Sequence, residues 1–178
     1  LKKRLLRYDI ILIPSKKSSY IFEKIFEREI KSPEIKILGF YPKLNYLLKK
    51  QEIKKNNPKK IIIAPTHYGT FKELNLNRYL KIMILKLIKS NFEVIYRPHP
   101  SNIYDKKVKN IQKSFEKYSN FFLDTSSNYL DSYSSSKFMI TDVSGTAYTY
   151  AMLTKKPVFF FSKSEDKINS SNYKNLNF

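Results

Sequence analysis

The sequence has no cysteine and only two histidines and three glycines among its 178 residues. The lack of cysteine excludes disulfides, thiolate zinc sites and thiol nucleophiles together. Two histidines are too few for a histidine-rich metal site, and we expect neither a metal nor a cofactor. No apolar run reaches the roughly 18 to 20 residues of a membrane-spanning helix, and residues 1–7 contain no signal-peptide core.

The charge is strongly unbalanced, because 34 lysine and arginine residues face 15 acidic ones and give a net charge of +19. An excess of this size favours polyanionic partners. Arginine, whose bidentate guanidinium suits phosphate best, occurs at only five positions. Part of the excess therefore reflects composition, and a basic nucleic-acid-binding module is an alternative rather than the main hypothesis.

Short apolar runs alternate with amphipathic stretches of helical length along the chain. The predicted strands are residues 9–13, 34–38, 61–64, 93–97, 121–123, 138–141 and 157–161. The predicted helices are residues 18–30, 42–48, 74–89, 106–118, 128–134 and 146–153. This alternation predicts an α/β fold, a Rossmann-like open parallel sheet with helices on both faces. We expect one domain over residues 1–162, with its first strand buried on both faces, and a polar tail at residues 163–178.

The least ordinary residues of the sequence follow three of the predicted strands. They are Thr66 and His67 after the strand at 61–64, Arg97 and His99 at the end of the strand at 93–97, and Asp142, Ser144, Gly145 and Thr146 after the strand at 138–141. Parallel strands end at one edge of a sheet, and ligands of such sheets bind there. We therefore expect these residues to face one rim.

Ser144, Gly145 and Thr146 stand at the start of a predicted helix. A helix N-terminus offers free N–H groups and the positive end of the helix dipole, which together suit a phosphate. Glycine would let the phosphate approach the backbone closely. The alternative is that Ser144 or Thr146 simply caps the helix.

Arg97 and His99 lie two residues apart on a segment that prolines hold extended, so both side chains point to the same side. A guanidinium and an imidazole suit a diphosphate whose charge grows as a bond to it breaks. The alternative is a turn histidine beside an ordinary surface arginine. A structural role is the stronger alternative for His67, and Asp142 is either a ligand or a satisfied strand-end carboxylate.

Five motifs, in order, resemble the CDP-glycerol glycerophosphotransferase family between about residues 8 and 162. They are Ile37 to Pro42, similar to its G-Y-P-R segment; Ile61 to Thr66, similar to its "ilyaPT" strand; Arg97 to Pro100, similar to its R-x-H motif; Phe138 to Ser144, similar to its "lItDYSS" motif; and Lys156 to Phe160, similar to its "KPiify" ending. The chain departs from the family pattern at Lys43, Val143, Gly145 and Thr149.

This resemblance implies a GT-B-type enzyme of bacterial cell-surface polymer synthesis, such as teichoic acid or capsule, with this chain as the C-terminal, donor-binding half. The family transfers glycerol phosphate from CDP-glycerol to a polymer or lipid-linked acceptor and releases CMP. Its R-x-H histidine falls on His99, which the resemblance makes the catalytic residue. The predicted donor-binding residues are Arg97, Ser144, Gly145, Thr146, Thr66, His67 and Asp142.

The resemblance also implies the setting and its alternatives. The family's H-G-T motif belongs to the N-terminal half and has no match, so we expect a fragment that is inactive alone. We expect peripheral contact with anionic lipid at the cytoplasmic face of the bacterial inner membrane and no nucleic-acid partner. The departures leave open another CDP-polyol donor, and a GT-B nucleotide-sugar glycosyltransferase or epimerase is the alternative enzyme.

Overall fold

The computed structural model of the chain describes residues 2–50, 57–69 and 75–161. The chain divides into two compact units, Leu1–Lys50 and Gln51–Phe178. The boundary at residue 50 falls inside the single domain predicted for residues 1–162. The polar tail predicted at residues 163–178 lies outside the described residues. None of the helices in the described ranges is long and apolar enough to span a membrane.

The first unit is built on two parallel strands, β1 (Ile10–Ile13) and β2 (Glu34–Ile37). Its helices are α1 (Lys2–Leu5), α2 (Lys16–Phe26) and α3 (Pro42–Lys50). Helix α2 packs against both strands and places Phe26 in the interior of the unit.

Strand β1 buries only one of its two faces. Ile13 is buried and Ile11 is half-buried, whereas Ile10 and Leu12 are exposed. Successive side chains of a strand point to opposite faces, so these pairs mark a covered and an uncovered face of a two-stranded sheet. The prediction that this strand is buried on both faces is wrong for the chain as described.

The second unit contains a five-stranded parallel sheet in the order β5–β4–β3–β6–β7. Its strands are β3 (Lys60–Ile63), β4 (Glu93–Tyr96), β5 (Phe121–Leu123), β6 (Phe138–Thr141) and β7 (Val158–Phe160). Its helices are α4 (Leu80–Lys89), α5 (Lys106–Phe115), α6 (Leu130–Ser135) and α7 (Thr146–Thr154). The predicted open parallel sheet is confirmed for these strands. Strands β1 and β2, which were expected to join it, form a sheet of their own.

Helices cover both faces of the five-stranded sheet. Ile61 and Ile63 of β3 belong to a core that includes buried side chains of α4 and α5. Ile62, between them on the opposite face, is also fully buried, as is Met139 of β6. Helices α6 and α7 contact β3, β6 and β7. The prediction of helices on both faces is confirmed.

Helix α4 begins at Leu80, later than the predicted start at residue 74. A 3-10 turn, Leu76–Arg78, precedes it, and the side chain of Asn75 caps this turn by accepting the Asn77 N–H at 2.8 Å. Asparagine competes with helical hydrogen bonding by bonding nearby backbone groups. The spacing of apolar residues, which predicted a longer helix, does not indicate that a side-chain cap at Asn75 interrupts it.

The strand order places a topological switch point between β3 and β6. From β3 the chain moves through β4 to β5 on one side, and then crosses to β6 and β7 on the other. Pro65 and Pro98 follow β3 and β4 closely, where a residue that cannot donate to the ladder ends a strand. Ligands of open α/β sheets bind in the crevice at the carboxyl ends beside such a switch point.

Candidate functional site

Asp142 ties together the two sides of the crevice. Its Oδ1 accepts the Thr66 N–H at 2.8 Å, and its Oδ2 accepts the Leu76 N–H at 2.7 Å. Alongside it, Thr141 Oγ1 donates to the Ala64 carbonyl at 2.6 Å. These bonds link the segment after β6 to the segments after β3. The rim on either side of the switch point is therefore held by side chains as well as by the sheet.

The burial of Asp142 decides its role. Only 1% of the residue is exposed, and both carboxylate oxygens have backbone partners. Burial raises the pKa of Asp142 above its ordinary value, although the hydrogen bonds from Leu76 and Thr66 act to lower it. The prediction that Asp142 contacts the donor does not fit this geometry, because no surface of its carboxylate is left to a ligand. Asp142 is a positioning residue for Thr66, which is itself buried.

His67 and His99 meet at the rim, as the strand-end argument predicts. Their rings lie edge to face with centroids 5.6 Å apart. Nδ1 of His67 accepts the Gly69 N–H at 3.0 Å, and Nδ1 of His99 accepts the Ser101 N–H at 3.2 Å. A neutral imidazole whose Nδ1 accepts carries its proton on Nε2. Each ring therefore has an Nε2–H group with which to donate to an anion.

Burial, and next the charge of His67, lower the pKa of His99 below its ordinary value of 6.5. The unliganded site therefore favours neutral His99 at pH 7. The folded chain binds the imidazolium proton of His99 more weakly than the unfolded chain does. The free energy of unfolding is therefore highest above pH 6.5 and decreases as the pH falls below that value. An anion bound between the imidazoles would reverse this preference.

Helix α7 begins at Thr146, as predicted, with Gly145 as its N-cap, but the hydroxyls of Ser144 and Thr146 have internal partners. Ser144 Oγ accepts the Thr146 N–H in a long bond of 3.4 Å. The Thr146 hydroxyl is hydrogen-bonded to the hydroxyl of Tyr133, which is buried. Gly145 is the N-cap of α7 and no side chain caps the helix there, so the part of Ser144 in capping is limited to this one long bond.

Gly145 is exposed and open to a ligand. Its φ of −62° and ψ of −15° are ordinary helical values, so the backbone does not require glycine here. A Cβ added at this position would meet no atom within 4 Å. The absent side chain therefore leaves free space directly over the start of the helix.

Arg97 is anchored to the loop that follows β5. Its Nη1 lies 2.6 Å from Asp124 Oδ2, and its Nη2 donates to the Ser126 carbonyl at 2.8 Å. The side chains of Arg97 and Asp124 are each only 12% exposed. Burial alone would raise the pKa of Asp124, but hydrogen bonds from Ser132, Ser126 and Arg97 outweigh it and hold the pKa below its ordinary value. Arg97 therefore stands in a fixed position, with part of its donor capacity already used.

The partly buried ion pair of Arg97 and Asp124 is expected to contribute to the free energy of unfolding. Replacing either Arg97 or Asp124 with alanine leaves the other charge without its partner, and we expect each change to cost about 1–3 kcal/mol of unfolding free energy. In a double-mutant cycle followed by urea unfolding, the two losses should be coupled by about 1–3 kcal/mol. Additive losses would show that the two side chains act independently.

Sequence reasoning missed the residues that support the rim. Asp124 follows β5 as the other candidates follow their strands, so the strand-end rule could have found it. Tyr133 has no such signal, since only the fold brings α6 beside the start of α7. Among the described residues, no group of three or more His, Asp or Glu side chains could hold a metal ion.

Comparison with known proteins identifies a family model that matches most of the chain. The model of a family described as CDP-Glycerol:Poly(glycerophosphate) glycerophosphotransferase matches residues 1–172. No curated protein matches the chain.

Solved structures of similar fold cover nearly the whole chain. The wall teichoic acid polymerase TagF is 23% identical, with a TM-score of 0.52, and the match covers 94% of this chain and 42% of that one. A histidine-to-asparagine variant of TagF soaked with CDPG is 22% identical, with a TM-score of 0.52 over 94% and 41% of the two chains. The UDP-GlcNAc 2-epimerase of Methanocaldococcus jannaschii, in complex with UDP-GlcNAc and UDP, is 12% identical, with a TM-score of 0.51 over 92% and 49%.

These likenesses show the fold alone, because identities under 25% do not carry a function from one protein to another. The Rossmann-like fold expected of a GT-B enzyme is confirmed. The chain spans less than half of the length of each of these three solved structures.

Proposed function

Since this chain belongs to the CDP-glycerol:poly(glycerophosphate) glycerophosphotransferase family, we propose that it binds CDP-glycerol and forms the donor-binding half of an enzyme that transfers glycerol phosphate to a polymer or lipid-linked acceptor. The observation that carries the proposal is the contact of His67 with His99 at the carboxyl end of the sheet. Strand β6, which leads into α7, lies next to β3, and the bond from the Thr66 N–H to Asp142 ties the two strand ends together. Imidazole Nε2–H groups and a helix N-terminus together suit a diphosphate.

The proposed reaction exchanges the diphosphate bond of the donor for a phosphodiester bond to the acceptor. An acceptor hydroxyl attacks the phosphorus that carries glycerol, a new P–O bond forms, and the P–O bond to CMP breaks. The acceptor loses a proton, and negative charge grows on the departing CMP phosphate. We assign the stabilisation of that charge to the His99 Nε2–H and to the N-terminus of α7 at Gly145. The base that takes the proton of the acceptor is not assigned to a residue of this chain.

The remaining predicted donor-binding residues have different roles in this proposal. Ser144 and Thr146 lie beside the diphosphate at the helix start, and His67 faces it from the opposite loop. Arg97 contributes positive charge from its fixed position, with Asp124 limiting its movement. Thr66 is buried and contributes the shape of the loop rather than a direct charge.

The setting of the reaction belongs to the same proposal. A bacterial teichoic acid or capsule polymer is the acceptor class that the family suggests. Peripheral binding at the cytoplasmic face of the membrane is supported by the net charge of +19, since basic proteins are attracted to anionic lipid. No nucleic-acid partner is proposed.

Calorimetric titration with CDP-glycerol tests donor binding, and Gly145→Ala is the sharpest variant. The backbone angles and the empty space allow alanine, so we expect unfolding free energy to stay the same or to rise by up to about 1 kcal/mol. A methyl group over the helix start would obstruct a phosphate there, and we expect the Kd for CDP-glycerol to rise about tenfold or more.

Other nucleotides separate this proposal from its alternatives. UDP-sugars are the control ligands, because a UDP-GlcNAc 2-epimerase shares the fold. Tighter binding of UDP-GlcNAc than of CDP-glycerol would favour the nucleotide-sugar enzyme. A Gly145→Ala variant that binds CDP-glycerol as tightly as the unchanged chain would remove the phosphate from the start of α7.

The titration of His99 predicts that donor binding takes up protons. The unliganded site lowers the pKa of His99, and a nearby diphosphate raises it again, so binding near pH 6.5 should draw protons from the buffer. Calorimetry in buffers of different ionisation enthalpy measures this uptake. His99→Asn should abolish most of it, whereas equal uptake in that variant would place the titrating group elsewhere.

A further inference from the structure

A second concave site lies beside the rim, on the other side of the segment that carries His67. It is a cavity of about 610 Å³ between the 3-10 turn Leu76–Arg78, the start of α4 and the first turns of α5. Cavities of about 300–1,000 Å³ hold drug-sized ligands. The space therefore suits a short flexible molecule rather than a folded domain.

The cavity is positively charged. Arg78, Lys81 and Lys107 are among its lining residues, and none of the lining residues in the described part of the chain is acidic. The Lys107 ammonium lies 4.8 Å from the centre of the Tyr68 ring, which gives the wall an aromatic surface next to a cation. The nearby Asp105 carboxylate caps α5, where it accepts the Lys107 N–H at 2.8 Å.

The lining also offers polar groups for hydroxyls. Asn75, Asn77 and Asn110 are among the residues that line the cavity. Side-chain amides both donate and accept hydrogen bonds, so such a lining suits the hydroxyl groups of a ligand.

The cavity and the rim share one segment of backbone. Asn77 Nδ2 donates to the Thr66 carbonyl and Asn75 Nδ2 to the His67 carbonyl, each at 3.1 Å. Tyr68, the next residue, lines the cavity and donates its N–H to Asn102 Oδ1 at 3.3 Å. A ligand in the cavity would therefore lie against the backbone that presents His67 to the donor site.

We propose that this cavity binds the anionic acceptor polymer, a chain of phosphodiesters and free hydroxyls, next to the donor site. The inference rests on the proposed function, because an acceptor is needed only if this site transfers glycerol phosphate. Three cations suit the phosphodiesters, and the side-chain amide groups suit the hydroxyls. A concave pocket suits a thin flexible chain better than the flat surface of a membrane or a rigid duplex.

The test compares two variants that lose the same charge. The cavity variant combines Arg78→Gln, Lys81→Gln and Lys107→Gln. The control variant combines Lys86→Gln, Lys89→Gln and Lys113→Gln, which are exposed on the same two helices and do not line the cavity. Binding of poly(glycerol phosphate) is measured by calorimetry at two salt concentrations, with CDP-glycerol, single-stranded DNA and phosphatidylglycerol vesicles as separate probes.

We expect the cavity variant to raise the Kd for poly(glycerol phosphate) about tenfold or more and to weaken its salt dependence. The control variant should change that Kd much less, and both should bind CDP-glycerol as the unchanged chain does. Equal losses in the two variants would overturn the proposal, because binding would then follow net charge alone. DNA or vesicles that show the same cavity-specific loss at tighter affinity would overturn it in favour of those partners.

The CDP-glycerol arm keeps the two proposals apart. If the unchanged chain binds poly(glycerol phosphate) through the cavity but does not bind CDP-glycerol, the proposed function fails while the polymer site stands. If CDP-glycerol binds and the polymer does not bind at all, the donor assignment stands and the cavity is not an acceptor site.

Discussion

Replacing His99 with asparagine is expected to lower the rate of glycerol phosphate transfer by the complete enzyme about 10²–10⁴-fold, the usual contribution of a positioned acid or hydrogen-bond donor. The physical reason is that the Nε2–H of His99 would stabilise the charge that grows on CMP, and asparagine does not place a donor at that point. The measurement is release of CMP under saturating donor and acceptor, so that the effect appears in kcat.

Asparagine is chosen because His99 has a second, structural task. Its Nδ1 caps the 3-10 turn Pro100–Asn102 by accepting the Ser101 N–H, and asparagine is a favoured capping residue. His99→Asn should therefore keep the unfolding free energy within about 0.5 kcal/mol. His99→Ala should lose the cap as well, at a cost of about 1 kcal/mol.

The matched comparison is His67→Asn, which preserves the acceptor for the Gly69 N–H in the same way. We expect it to raise the KM for CDP-glycerol with a smaller effect on kcat, because His67 is assigned to binding. Normal kcat in His99→Asn would remove His99 from the chemical step. Equal kcat losses in both variants would make the two imidazoles one functional unit.

The position of the site was predictable from the sequence because it depends on strand ends. Strands at Ile61 and Phe138 were recognisable as apolar runs, and the residues after them had to meet at one edge of a parallel sheet. The meeting of His67 with His99 follows from the pairing of β3 with β4, in which Ile63 lies opposite Tyr96. The sequence did not indicate which strands lie next to each other in the sheet.

The partners of these residues were not predictable, because they are distant in sequence and carry no periodic signal. Arg97 and Asp124 are 27 residues apart, and nothing local links them. Lys156, which the sequence offers only as part of a family motif, donates its ammonium protons to the carbonyls of Ser134 and Ser136 at 2.6 and 2.5 Å. These carbonyls lie at the end of α6, so Lys156 acts there as a C-terminal cap.

The separate sheet of β1 and β2 was unpredictable for a different reason. Apolar strands and amphipathic helices alternate in the first 50 residues just as they do later in the chain. Periodicity indicates that a segment is a strand and which of its faces is apolar, but it does not indicate which strand lies beside it. Ile10 and Leu12 lie on the exposed face of this sheet, and what packs onto a face depends on tertiary structure that the pattern does not encode.

Replacing Asp142 with alanine is expected to give the largest loss of stability among the site residues, about 3–5 kcal/mol of unfolding free energy. The carboxylate accepts two backbone N–H groups, each bond to a charged group contributes about 1.5–3 kcal/mol, and alanine leaves both donors buried without a partner. Urea unfolding of the chain measures the loss.

Asp142→Asn separates two accounts of this carboxylate. Burial raises the pKa of Asp142, and a protonated acid would be mimicked well by an amide. Both oxygens accept N–H bonds, which favour the ionised form, and the NH2 group of asparagine would face one of these two donors. We therefore expect asparagine to be destabilising by about 1–3 kcal/mol and to weaken CDP-glycerol binding through displacement of Thr66. Full stability in Asp142→Asn would mean that the group is protonated in the folded chain and that one of its two bonds is dispensable.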